Sequence, residues 1–224
     1  MPDSKLTCTP LAQQDVYPVT RLLRSIKFHI GGAQASFKQI REFCEVALNE
    51  DSDLFITVAK DEHKQLAGVV LGVRNWRSFW RGIYLKNPLL LPPMGIAAIQ
   101  RKITKIKRKN NKNKDIDLVQ LEKKETSLWH DKNPAYIHIL LIVVDMSHRQ
   151  KKIGQRLYTS FLQHLKRNQI EKVIARIDRS NTPSIILHQK SGWNVYEVSH
   201  YAEAVIELKD IELPEQEIRI GDDA

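Results

Sequence analysis

Cysteine is nearly absent. Cys8 and Cys44 are the only two in 224 residues, too few for a disulfide framework and not spaced as metal ligands, so two ordinary thiols in a reducing, cytoplasmic setting are expected and no metal. Long apolar runs are missing as well. The N-terminal MPDSKLTCTP lacks the hydrophobic centre of a leader peptide, and no stretch approaches the roughly 18–20 apolar residues that a membrane-spanning helix needs. The chain therefore reads as neither secreted nor integral to a membrane.

What is present is charge, unevenly placed. The net charge is +9, yet residues 74–133 alone carry 15 Lys and Arg against 5 Asp and Glu, a surplus that leaves the rest of the chain at −1. At 42% hydrophobic residues the remainder is long enough for one α/β domain interrupted by that basic segment.

Periodicity supplies the elements. KLTCTPL alternates like a short strand; Val16, Val19, Leu22, Leu23 and Ile26, and then Phe37, Ile40, Phe43, Cys44, Ala47 and Leu48, recur at helical spacing. DLFITVAK and QLAGVVLGV, parted by the polar DEHK, read as a hairpin. After the basic segment come the strand AYIHILLIVV, a helix through GQRLYTSFLQHLKRN, the strand KVIARID, a proline-led helix TPSIILHQKS, and the strands GWNVYEV and YAEAVIELK. No internal repeat is visible. This order implies a mixed sheet covered by helices.

Between the most strand-like run and a helix stands HRQKKIGQRL, residues 148–157. A strand, loop and helix in that order aim the first N–H groups of the helix, and the positive end of its dipole, at whatever lies beyond the strand. An anionic phosphate fits there. Arg149, Lys151 and Lys152 add attraction, and Gly154 lets the backbone approach a ligand without a Cβ in the way. A solvated helix start has the same composition, so the stretch alone leaves both readings open.

VVDMSHRQKKIGQRLYTSFL resembles the acyl-CoA-binding motif of the GNAT superfamily of N-acetyltransferases, an Arg or Gln, two variable residues, a Gly, one residue and a Gly or Ala. Arg149, Gln150, Lys151, Lys152, Ile153 and Gly154 follow that order with Lys152 in place of the first glycine. NTPSIILHQKSGW, residues 181–193, resembles a second family segment at the right distance, and the upstream hairpin agrees. The resemblance covers residues 5–73 and 134–208, leaving the insertion 74–133 and an acidic tail, 209–224, outside it. It implies a mixed, mostly antiparallel central sheet flanked by helices, with the insertion between the third and fourth strands. It also implies an acetyl-CoA site of Val144, Arg149, Gln150, Lys151, Lys152, Ile153, Gly154, Gln155 and Asn181. Val144 would offer the pantetheine arm a strand edge, and the Lys152 ammonium could replace the missing glycine's phosphate contact.

The resemblance points to two catalytic histidines. His188 stands where the family commonly has a tyrosine that protonates the departing thiolate, and imidazole can donate near neutral pH. His138 lies 16 residues before Gly154, where some members carry a glutamate base; strict alternation would put it on one face with Tyr136, Leu140, Ile142 and Val144. A solvent-facing His188 and a core His138 are the plain alternatives. Tyr136 and Asp145 are lesser candidates.

In the insertion, Trp76, Phe79, Trp80, Ile83 and Tyr84 follow a helical period, and RKITKIKRKNNKNK supplies the charge. The aromatic face needs cover from the domain, from a second subunit in a homodimer, or from an anionic membrane surface, which it would touch peripherally. A lid over the acceptor with a solvated basic loop is the preferred reading; basic charge alone is a poor argument for nucleic acid. The function expected is acetyl transfer from acetyl-CoA to a primary amine by direct attack in a ternary complex. The alternative is a non-catalytic acyl-CoA sensor tethered by its basic insertion.

Overall fold

The computed structural model describes residues 6–30, 33–49, 52–74, 79, 122–123, 133, 135–149, 151–198 and 201–210. Gln150, Trp76, Trp80, Ile83, Tyr84, the tract 101–114 and the tail beyond Asp210 lie outside them, and with them the readings they carry. In chain order the elements are β1 (Thr7–Pro10), α1 (Val16–Ser25), β2 (His29–Ile30), β3 (Ala33–Gln34), α2 (Phe37–Val46), β4 (Leu54–Lys60), β5 (Leu66–Arg74), β6 (Glu122–Lys123), β7 (Tyr136–Val144), α3 (Ile153–Arg167), β8 (Lys172–Asp178), α4 (Thr182–Lys190), β9 (Asn194–Val198) and β10 (Tyr201–Glu207).

Local chemistry accounts for the helix ends. Ser36 and Gln39 form a reciprocal capping box at the start of α2, with Ser36 N–H donating to Gln39 Oε1 at 2.9 Å and Gln39 N–H to Ser36 Oγ at 3.3 Å. Asn181 caps α4 by accepting from Ser184 N–H at 3.3 Å, and proline stands in its first turn. α1 stops at Ser25, so Ile26, which its spacing assigns to the apolar face, is instead exposed.

The sheet runs β1-β4-β5-β7-β8-β10-β9-β6, with β2 and β3 forming a separate ribbon. It is antiparallel except at β7–β8 and β9–β6. The insertion leaves β5 and returns at β7. Its one described aromatic, Phe79, is buried edge-on against Phe43 of α2 at 6.0 Å. α1 and α2 cover one face through Val19, Leu23, Ile40 and Phe43. α3 and α4 cover the other through Leu157, Phe161, Leu165 and Ile185. α3 packs close because Gly72 of β5 has no side chain: a Cβ there would lie 2.7 Å from Phe161 Cζ.

β7 is the strand on which both faces of the sheet depend. It pairs with β5 from Ile137 to Val144, but with β8 only from Tyr136↔Lys172 to Ile139↔Ala175. Beyond that the two parallel strands part. A bulge at Leu140 lets two residues of β7 oppose one of β5, which reverses the alternation. His138 is paired with Val73 and faces α1 and α2, whereas Ile142 and Val144, past the bulge, pack towards α3. His138 therefore does not share a face with Ile142 and Val144, as strict alternation predicts.

Candidate active site

The residues expected to hold the cofactor gather where β7 ends. Asp145 N–H donates to Ala67 O of β5 at 2.9 Å. Neighbouring residues of an antiparallel strand turn their N–H and C=O to opposite sides, so those of Val144 point away from β5 into the gap beside β8. The Asp145 side chain then caps a short 3-10 turn, Met146–His148, accepting from Ser147 N–H at 3.0 Å and Ser147 Oγ at 2.5 Å. These bonds, the hydroxyl first, hold the Asp145 carboxyl below its ordinary range.

α3 begins at once after the loop. Lys152 at its N-cap has φ 56°, ψ 15°, the left-handed conformation glycine adopts most easily. No side chain caps this helix end, and its first turn holds no acidic residue. The leading N–H groups of a 15-residue helix are thus left for an external acceptor. Lys151, Lys152 and Gln155 are exposed beside them and Ile153 is buried. A Cβ on Gly154 would meet only Val144 Cγ2, at 3.6 Å. Arg149 is exposed but turned back, its Nε–H donating to Val144 O at 3.4 Å. Asn181 is engaged in capping α4; Tyr136 sits at the far end of β7 with Lys172 Nζ 4.8 Å from its ring centre.

The two histidines occupy opposite faces. His138 is 1% exposed on the α1/α2 face. Two residues further along that face, Glu203 of β10 is fully buried in register with Arg176 of β8 and Tyr196 of β9. His188 is 3% exposed on the α3/α4 side, its ring edge-on to Tyr158 at 5.5 Å and to Trp193 at 5.0 Å. It does not face solvent. His188 Nδ1 lies 2.7 Å from Ser184 O, which can only accept, so Nδ1 carries the proton. Burial lowers the His188 pKa despite that bond, leaving a neutral ring with the lone pair on Nε2. His188 Nε2, the Tyr158 hydroxyl and Trp193 Nε1 are each buried without a hydrogen-bond partner among the described residues.

Tyr158 and Trp193 lie within the motif segments but read there as core residues; only the packing groups them with His188. Asp61, on the β4–β5 turn, reaches His148 across 87 residues, a contact no local pattern signals. Both thiols are protonated: burial pushes Cys44 up to about 12 and raises Cys8 as well. Among the described residues no group of three or more His, Cys, Asp or Glu is arranged to hold a metal ion, and no helix is long and apolar enough to cross a membrane.

The arrangement has counterparts. Residues 124–193, from inside the insertion through Trp193, match the model of the acetyltransferase (GNAT) family. The spermidine N-acetyltransferase of Vibrio cholerae, solved with CoA and spermine, superposes with a TM-score of 0.55 at 13% identity, covering 91% of this chain and 96% of that one. A dodecameric structure of the same enzyme gives 0.55 at 12%, covering 91% and 94%. A GNAT-family acetyltransferase of Staphylococcus aureus Mu50 gives 0.52 at 10%, covering 91% and 99%. No curated protein matches in sequence. The GNAT acetyltransferase family's model thus matches residues 124–193 of this chain, and the fold seen in solved GNAT acetyltransferases is shared over nine-tenths of its length.

Proposed function

We propose that the protein transfers an acetyl group from acetyl-CoA to a primary amine. One observation carries this reading: the gap where β7 and β8 part opens beside the uncapped, basic-flanked start of α3. The N–H groups of Ile153, Gly154 and Gln155, with Lys151, Lys152, Arg149 and Gln150, would hold the pyrophosphate. The edge of Val144 would hold the pantetheine arm. Asn181 would act through the α4 terminus that it caps.

Transfer proceeds in one ternary complex. The amine nitrogen bonds to the thioester carbonyl carbon, the C–S bond breaks, the amine loses a proton and the CoA thiolate gains one. His138, on the face opposite α3, is the base, and Glu203 on the same face attracts a cationic acceptor. His188, on the cofactor side, is the proton donor once Nε2 has been protonated. Two thiols held protonated argue against a covalent intermediate.

Thiol release from acetyl-CoA with a panel of amines, spermine and spermidine included, tests the reading. Alanine at His138 or at His188 is expected to lower turnover by about 10²- to 10⁴-fold with CoA affinity unchanged. CoA binding without turnover of any amine would instead favour the sensor.

A further inference from the structure

We propose that Leu140 and Leu141, which the bulge turns to one face of β7, form the wall against which the donor's acyl group lies, so that the site takes propionyl and butyryl groups more tightly than acetyl. The inference rests on the acyl-CoA site proposed above and names the acyl class which that site selects, through residues it does not yet contain.

Register decides which way these side chains turn. An unbroken strand sends consecutive residues to opposite faces. Here Leu141 pairs with Leu71 of β5 while Ile139 pairs with Gly72, so Leu140 is the extra residue, and both leucines pack towards the α1/α2 core in succession. Their burial is uneven with that of their neighbours. On the β5 side of the same face Val69 and Leu71 are 0% exposed, and Val143 is buried too, whereas Leu140 and Leu141 are only partly buried. Pairing with β8 has ended one residue earlier, at Ile139↔Ala175. Sealed on the β5 side, the leucines are open towards the gap. Across it, β8 brings no apolar side chain to this face beyond Ile174: two residues on stands Arg176, exposed, its guanidinium carbon 3.6 Å from the centre of the Tyr201 ring.

The chemistry of transfer brings the acyl group to the same place. With the pantetheine arm at the edge of Val144 and the amine's proton taken by His138, the thioester carbon lies between those two positions on β7. In that interval the residues on the His138 face are Leu140, Leu141 and Val143, and the two leucines are the ones with apolar surface left to cover. An acetyl group has a single methyl to offer two leucine side chains. Each methylene added to it removes more of that surface, and its own, from water.

The test measures the affinity of the full chain for CoA, acetyl-CoA, propionyl-CoA, butyryl-CoA and succinyl-CoA by calorimetry, which needs no acceptor. Affinity is expected to rise about fourfold with each methylene added to acetyl. Leu140→Ala, and separately Leu141→Ala, should lower the butyryl-to-acetyl affinity ratio by about fourfold, the worth of one methylene; a ratio taken within one variant cancels any general loss from altered folding. Butyryl-CoA that binds no more tightly than acetyl-CoA overturns the proposal, as does a wild-type ratio in both leucine variants. Tighter binding of succinyl-CoA than of butyryl-CoA also overturns it, because a chain ending in a carboxylate would then be selected by Arg176 and not by the leucines. Protein that binds neither CoA nor any of its thioesters overturns the acyl-CoA site itself, a separate result from equal affinity for all of them, which removes the acyl wall and leaves the site.

Discussion

Lys152 concentrates two opposing demands in one residue. Its φ of 56° suits glycine, and a Cβ in the left-handed region costs about 1–2 kcal/mol. Its ammonium, however, stands beside the uncapped helix start. Lys152→Gly is therefore expected to raise the melting temperature while weakening CoA binding, as read by thermal denaturation and calorimetry on the same preparation. CoA binding that is unchanged or tighter would show that the side chain has no part in holding the anion. The substitution is visible in the sequence as a departure from the family's glycine, but its backbone conformation is not, because a lysine in a basic loop carries no local sign of positive φ.

At the level of elements, the start of α3 and the end of β7 define the wall proposed to face the phosphates. A Cβ at Gly154 meets nothing closer than ordinary contact distance. Gly154→Val should accordingly fold, with stability changed by no more than about 1–2 kcal/mol, yet bind CoA at least tenfold more weakly because the branched side chain occupies the backbone's approach to the phosphate. Unchanged CoA affinity in the folded variant would remove the motif from the site. Most of these elements are legible in the sequence: the hairpin, both C-terminal helices and β7 follow from periodicity and caps. The bulge at Leu140 is not, because ILLIVV is apolar on both faces and polarity leaves no mark where the register slips. Nor does chain order reveal that β10 inserts between β8 and β9.

Across the whole molecule, buried histidines set the response to acid. Burial depresses the pKa of His188, and of His164 with a smaller contribution from Arg167, below the ordinary 6.5. Their folded forms resist protonation, so unfolded chains take up protons first as the pH drops below that value. Stability should be level between about pH 6.5 and the ordinary thiol range at about pH 8.5, and decline on the acid side. A second decline should follow below the ordinary carboxylate value, as Asp61 and Asp145, both depressed, are protonated. Melting temperatures of the wild type and of a His164→Gln, His188→Gln double variant test the assignment: the variant should lose the upper decline and keep the lower one. Persistence of the upper decline would trace it to other groups.

The parting of β7 from β8 also divides the sheet mechanically. Among the described residues, the backbone bonding that joins β1, β4, β5 and β7 to β8, β10, β9 and β6 is confined to four residue pairs of a parallel ladder and the Glu171 N–H to Ala135 O bond at its end. The first half has the α1/α2 core to itself, whereas β8, β9, β10 and α4 rely on the cluster they share with α3. The seam thus separates two units of unequal autonomy. Amides of β9 and β10 should exchange with deuterated solvent through a partial opening that leaves β4 and β5 protected, and a ligand lying along the seam would slow that opening by bridging the two halves.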